Sequence, residues 1–326
     1  MNTGMDLGTT QFRSVRRVGD ELIARQCPAT YLAVSDTAGH RRLIEHSKAR
    51  HATCGPDLIL IGDDAIECAG MLDLPLTPLL RGGRLPSGDP VARQILALMV
   101  EAVLPPAERP EDVCCLTVPG GYQFETNDEP FDVRFLQQLA ALRGYVPLRI
   151  SSGLAVVLAE LSQSSFSGLG ISLGATGCEF GVIHCGQEMA RCAVTSPLGE
   201  LADALSPDPT AVGSDHNALT DDPSRQIAWE RNCARMLRSV LAEAREKLVE
   251  SDSLRLLPQP TCVVCTGGIT AASGFASLFE TVWNETDWQI GVSRIQIASD
   301  STYAIARGAL IQAHLENHTS EDRAAA

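Results

Sequence analysis

Aromatic side chains are scarce. Phe, Trp and Tyr make up 5 % of the 326 residues, so Leu, Val, Ile and Ala must fill the interior. Positive charge is short as well: Lys and Arg total 26 against 40 Asp and Glu, a formal charge of −14. That balance excludes a general nucleic-acid binder, which needs a basic face to neutralise phosphates. It leaves room for a mononucleotide, held by backbone N–H groups and a metal. No apolar run approaches the ~20 residues of a membrane span. Residues 1–11 lack a basic segment followed by an apolar stretch, so no leader is expected. No Ser-His-Asp arrangement can be read from the sequence. The 11 cysteines have no regular spacing. Cys262 and Cys265 form a C-x-x-C, but no second pair completes a zinc site. They lie in the apolar run TCVVC and read as core residues. A reducing cytoplasm is the expected setting.

What is present is an alternation of elements. The length suits two domains at roughly 100–200 residues each. GMDLGTTQFRSVRR reads as a strand, a Gly-Thr turn and a return strand, with more strand in residues 20–34. Residues 35–56 are polar, basic and rich in His; Arg41 to His51 reads as a solvated charged face. LILIGDD is an apolar strand leading into a helix. Residues 90–103 have helical spacing behind the Asp89-Pro90 start. A second block follows: strand DVCCLTV, helix FDVRFLQQLAALRGY, strand PLRISS and helix SGLAVVLAELSQ. GLGISLGATGCEFGVIHCG then restates the opening hairpin about 166 residues later, a weak internal repeat. Residues 197–224 read as an exposed loop, and AWERNCARMLRSVLAEAREKLVES as a long helix. A strand, a double glycine and a helix come next, in TCVVCTGGITAASGF. RIQIAS is a further strand and STYAIARGALIQAHLE a last helix. The alternation predicts an α/β fold of two related lobes.

Three glycine-marked turns each follow an apolar strand: Gly8-Thr9-Thr10, Gly174-Ala175-Thr176-Gly177 and Gly267-Gly268. Glycine lets backbone amides approach an anion, and Thr hydroxyls add donors. Two such hairpins facing each other can clamp a polyphosphate. Asp6, two residues before Gly8, can hold Mg²⁺ through water.

These motifs carry a resemblance over residues 4–315 to the superfamily of actins, sugar kinases and heat-shock chaperones. Within it the chain is most similar to the chaperone ATPase domain and the bacterial actins. MDLGTT resembles the first phosphate motif, ISLGATGCEFGVI the second and VVCTGGITAASGF the adenosine motif. SGLAVVLAEL and YAIARGALIQA resemble the two helices that cross between lobes. The resemblance implies a two-lobed, duplicated ribonuclease H-like ATPase fold with an interlobe nucleotide cleft. Lobe I would span 1–150 with an outer subdomain at 27–92. Lobe II would span 151–300 with a reduced outer subdomain at 200–261. Residues 301–315 would return to lobe I, and 316–326 would be a disordered tail. ATP or ADP with Mg²⁺ would bind, with Asp6 on the metal. Gly8, Thr9, Thr10, Gly174, Thr176 and Gly177 would meet the phosphates. Gly267 and Gly268 would line the adenosine, and Glu243 and Lys247 would touch adenine and ribose.

Two positions depart from the family. The second phosphate motif normally opens with Asp, and here it has Ser172. The Glu that normally precedes the first crossing helix is Ser152. Serine carries no charge and is a poor base, so hydrolysis is expected to be slow or absent; Glu179, or a carboxylate near Asp215, is the competing substitute. The favoured function is a nucleotide switch read by a protein partner, and the alternative is an actin-like filament protein. A chaperone acting on one enzyme complex is a third possibility. Phosphate transfer to a small molecule is disfavoured, because no acceptor-activating carboxylate stands out.

Overall fold

The computed structural model describes residues 1–86, 88–118, 131–195 and 223–325. Three strands open the chain: β1 (Thr3–Leu7), β2 (Gln11–Val18) and β3 (Glu21–Pro28). Next come β4 (Thr30–Ser35), α1 (Ala38–Ser47), β5 (His51–Cys54), β6 (Asp57–Ile61), α2 (Gly62–Leu72) and β7 (Thr77–Pro78). The first half closes with α3 (Pro90–Val103), β8 (Val113–Thr117), α4 (Phe131–Leu142), β9 (Val146–Arg149) and α5 (Ser152–Glu160). The second half holds β10 (Gly168–Leu173), β11 (Gly177–His184), β12 (Gln187–Thr195), α6 (Pro223–Glu250) and β13 (Thr261–Thr266). It ends with α7 (Phe275–Asn284), β14 (Val292–Ile297) and α8 (Ala304–Ala325).

Two five-stranded sheets repeat one plan. The first has the order β3-β2-β1-β8-β9 and the second β12-β11-β10-β13-β14. In each, the leading strand pairs antiparallel with its hairpin partner and parallel with a strand from much later in the chain. The weak sequence repeat is therefore a structural duplication. β1 and β10 are buried along their whole length, as strands covered on both faces must be, which explains their continuous apolar character. Each sheet has its own apolar core. One is built around Phe12, Ile95 and Met99, the other around Phe180, Phe275 and Phe279.

Helix starts follow their capping residues. Asp89 accepts from the amides of Val91 and Ala92, with Pro90 behind it in the first turn. Thr37 caps α1 by accepting from His40 N. The polar stretch 35–56 thus contains a helix and a strand. The third sheet, β5-β6-β4-β7, packs α1 and α2 over a small core that includes Ile44, Leu58 and Leu60. Arg41 pairs with Asp36 and Arg50 with Asp64 at the surface of this unit, the solvated face expected of Arg41 to His51. The last helix continues to Ala325, where the sequence suggests a disordered tail from 316. Most of the proline- and aspartate-rich stretch 197–224, with Asp215, lies outside the described residues.

Helices α5 and α8 join the two sheets. α5 lies on β10 and β11, α8 lies on β1 and β8, and the two helices pack on each other. Gly308 sits where they touch: a Cβ added there would stand 1.7 Å from the Ala155 carbonyl oxygen. Only glycine admits that approach of two backbones.

Candidate functional site

The two repeated hairpin turns meet. Thr9 Oγ1 and Thr176 Oγ1 lie 2.7 Å apart, one hydroxyl from each sheet. Each turn is closed by a bond across its base, Gly8 N to Gln11 O and Gly174 N to Gly177 O, both 3.0 Å. Those glycine amides are therefore already engaged. Donors for an anion come instead from the tips, at Thr9, Thr10, Ala175 and Thr176. Thr10 is exposed, and Thr9 and Thr176 are half-buried.

The third glycine turn joins this group through the backbone. Gly267 follows β13 with φ at 135°, and a Cβ there would lie 2.1 Å from Leu173 O, at the foot of the second hairpin. Gly268 opens a short 3-10 turn, and nothing lies within 4 Å of where its Cβ would stand. The sequence thus brings Gly8, Thr9, Thr10, Gly174, Thr176, Gly177 and Gly267 onto adjoining strand ends. Glu243 and Lys247 are placed differently. They pair with each other on α6 at 2.9 Å, one helical turn apart, and Lys247 Nζ donates to Ala193 O on β12.

Asp6 is buried at the end of β1. It stands opposite Arg13 on β2 and beside Thr117 on β8. Thr117 Oγ1 donates to Asp6 Oδ1 at 3.1 Å, and Arg13 Nη1 lies 3.6 Å from Oδ2. Burial raises the Asp6 carboxyl above its ordinary range, and Arg13 and Thr117 offset this only in part. A divalent cation would favour the ionised form. Buried carboxylate, threonine hydroxyls and turn tips are together a donor set that fits a magnesium-bound polyphosphate.

The equivalent place in the second sheet is built from other residues. Ser172 stands opposite Glu179 on β11 and beside Thr266 on β13. Glu179 Oε1 accepts from the Ser152 amide at 2.9 Å, at the start of α5. Ser151 caps that helix by accepting from Leu154 N, and its hydroxyl donates to Glu188 Oε1. Glu179 is 2 % exposed, and its Oε2 is buried with no partner. Burial and the neighbouring Glu188 push its carboxyl up, Arg191 and the Ser152 and Gly153 amides pull it down, and the balance is about 7. The sequence offered Glu179 as one of two competing substitutes for the missing carboxylate, and the 166-residue repeat sets it level with Arg13.

A separate cavity of about 570 Å³ opens near Glu160, Ser164, Cys262 and Arg294, at the end of β13 away from Gly267. Burial raises the Cys262 thiol, but the hydroxyls of Ser164 and Ser293 and the charge of Arg294 outweigh it and leave it below its ordinary value. All eleven cysteines are unbridged. No group of three metal-ligating side chains occurs among the described residues, and none of their helices is long and apolar enough to cross a membrane.

A family model described as Volactin matches residues 1–313. Among curated proteins none matches the sequence. Solved structures resemble this one over nearly its whole length. A MamK double helical filament is 16 % identical with a TM-score of 0.59, over 96 % of this chain and 98 % of that one. MreB5 of Spiroplasma citri bound to AMPPNP is 12 % identical with a TM-score of 0.62, over 99 % of both chains. The ethanolamine utilization protein EutJ from Carboxydothermus hydrogenoformans is 14 % identical with a TM-score of 0.51, over 95 % of this chain and 89 % of that one. At such identities the likeness establishes an actin-like fold and no more.

Proposed function

The chain belongs to the Volactin family, and from that premise we propose that it is a nucleotide-binding, actin-like protein that assembles with copies of itself. The observation that supports this reading most directly is the contact between Thr9 and Thr176. Two copies of one hairpin face each other there, as a polyphosphate clamp requires. ATP or ADP would part the two hydroxyls and lie between the turns. Thr9, Thr10, Thr176 and the backbone beside Gly8, Gly174 and Gly177 would take the phosphates, and Gly267 and Gly268 the adenosine. Asp6 would hold Mg²⁺ through water. In this reading lobe I is residues 1–150, lobe II is 151–300, α8 returns to lobe I, and the protein works in the cytoplasm. Glu243 and Lys247 would have to exchange their mutual ion pair for the base and ribose.

Self-assembly is preferred over a switch read by an unrelated partner because one similar structure is a MamK filament. The partner reading keeps one argument: 200–261 is a short stretch for an outer subdomain that carries subunit contacts. Uncharged Ser172 and Ser152 favour slow turnover. A thermal-shift screen with ATP, ADP, GTP and Mg²⁺ tests the nucleotide. Light scattering and negative-stain microscopy with and without ATP test assembly. Filaments that appear only with nucleotide are expected. A nucleotide-stabilised protein that stays monomeric would return the partner reading to first place, and no shift with any nucleotide would end both.

A further inference from the structure

We propose that Glu179 orients the water that attacks a bound nucleoside triphosphate and takes its proton, supplying from β11 the carboxylate that Ser172 and Ser152 do not. This rests on the nucleotide reading above. Directly paired residues on neighbouring strands share a face, so Glu179 lies on the face of Ser172. Its Oε1 is bonded to the Ser152 amide. The carboxylate therefore stands between the two positions where charge is missing, two residues after Gly177 closes the second turn.

One of its oxygens is held and the other is not. Oε1 accepts from α5, whereas Oε2 is, among the described residues, the buried carboxylate oxygen without a donor. A buried acceptor left unsatisfied is unfavourable and is ordinarily met by water. The groups around it are otherwise occupied. Glu188 takes the Ser151 hydroxyl and lies 3.6 Å from Arg191. Arg191 and Glu188 of β12 are the charged groups that bear on it, α5 contributes only the amides of Ser152 and Gly153, and β10 contributes Ser172. Cys192 lies on the other face of β12, against α6.

The step balances without a further reactant. The water oxygen bonds to the terminal phosphorus, and the bond from that phosphorus to the bridging oxygen breaks. Nucleoside diphosphate and phosphate leave, and ionised Glu179 Oε2 receives the proton. Ionisation is then a condition of turnover, and it occurs near pH 7.

A purely structural role, capping α5, makes a different forecast. Glu179→Gln keeps an oxygen for the Ser152 amide and removes the proton acceptor. The wild type should release phosphate in a single turnover with a rate that climbs between pH 6 and 8. E179Q should be pH-independent and about 100-fold slower, with affinity for a fluorescent ATP analogue within about twofold of the wild type. E179D should recover part of the pH dependence. Urea unfolding of the unliganded proteins gives a readout free of turnover. The wild-type midpoint should fall as pH rises towards 7, and that of E179Q should fall less. Phosphate release by E179Q at the wild-type rate, or wild-type protein that binds ATP and never cleaves it, overturns the proposal and leaves the nucleotide reading standing. Failure of the wild type to bind the analogue overturns both.

Discussion

The opening hairpin and its copy place their charge differently. In β1–β2 the buried carboxylate is Asp6, on the leading strand, and the residue across from it is Arg13. In β10–β11 the leading strand offers Ser172, and the residue across from it is Glu179. The third strand contributes threonine in both cases, Thr117 and Thr266. The backbone plan is the same, yet one site is an ion pair and the other an unpaired acid. A cross-strand pair shares one face of a sheet, so a carboxylate can change strands and still serve the same space. Reading motif positions one at a time scores the second hairpin as degenerate. Reading them as pairs finds the acid one strand over.

Substitutions at four positions break or sharpen that contrast. The largest effect belongs to Glu179. Its folded-state value near 7 lies above the ordinary 4.5, so the native state holds a proton that the unfolded chain has released. Stability is greatest below pH 4.5 with respect to this group, declines as pH rises, and has lost its full increment once pH passes about 7. At about 1.4 kcal/mol per unit, the loss is roughly 3 kcal/mol. Urea titrations at pH 5, 6, 7 and 8 measure it, and E179Q should flatten the curve. Asp6→Ala comes next. It removes the proposed metal support and strands Arg13, so affinity for ATP with Mg²⁺ should fall roughly 30- to 100-fold by calorimetry, about 2–3 kcal/mol. Ser172→Ala, its counterpart in the copy, should change affinity less than about threefold. Equal losses at both sites would erase the asymmetry. Ser172→Asp would set two carboxylates face to face and should destabilise by about 1 kcal/mol at pH 8 and less at pH 5. The penalty should vanish when the substitution is combined with E179Q. The smallest effect is at the meeting point: Thr176→Val removes one hydroxyl of the Thr9 contact and should cost about 0.5–1 kcal/mol. If it costs nothing, the two turns are not coupled there.

Much of this was visible in the chain itself. The glycine turns and their flanking apolar strands are local signals, so the two hairpins, the double glycine at Gly267 and the helix behind Asp89 could be placed by spacing alone. The resemblance supplied the two-lobed fold, which the similar solved structures share, and the joining helices, which this structure forms. Less legible was the unit built on β4, β5 and β6. Its helix α1 buries only Ile44, and a helix with one buried residue leaves almost no hydrophobic period to detect. Glu179 could be named only as one of two candidates for another reason: its partners, the Ser152 amide and Ser172, become neighbours only when register is known. Glu243 and Lys247 illustrate the reverse. Their spacing is the i,i+4 of a helix-surface ion pair, and the pair the structure forms follows from that spacing.

The place where Gly308 rests on Ala155 bears on how the halves could move. Interlocked side chains resist turning, because every knob must leave its socket. At this one point two backbones meet with no side chain between them, while Leu154 and Val157 share an apolar cluster with Ala304 elsewhere along the helices. Such a point of touch is where a rotation of one half against the other would turn, like the rivet of a pair of scissors. The handles are the sheets on α5 and α8, and the blades end at Thr9 and Thr176. A side chain at 308 would wedge the two helices apart at that point, and the spacing of the tips would change through a substitution far from either blade.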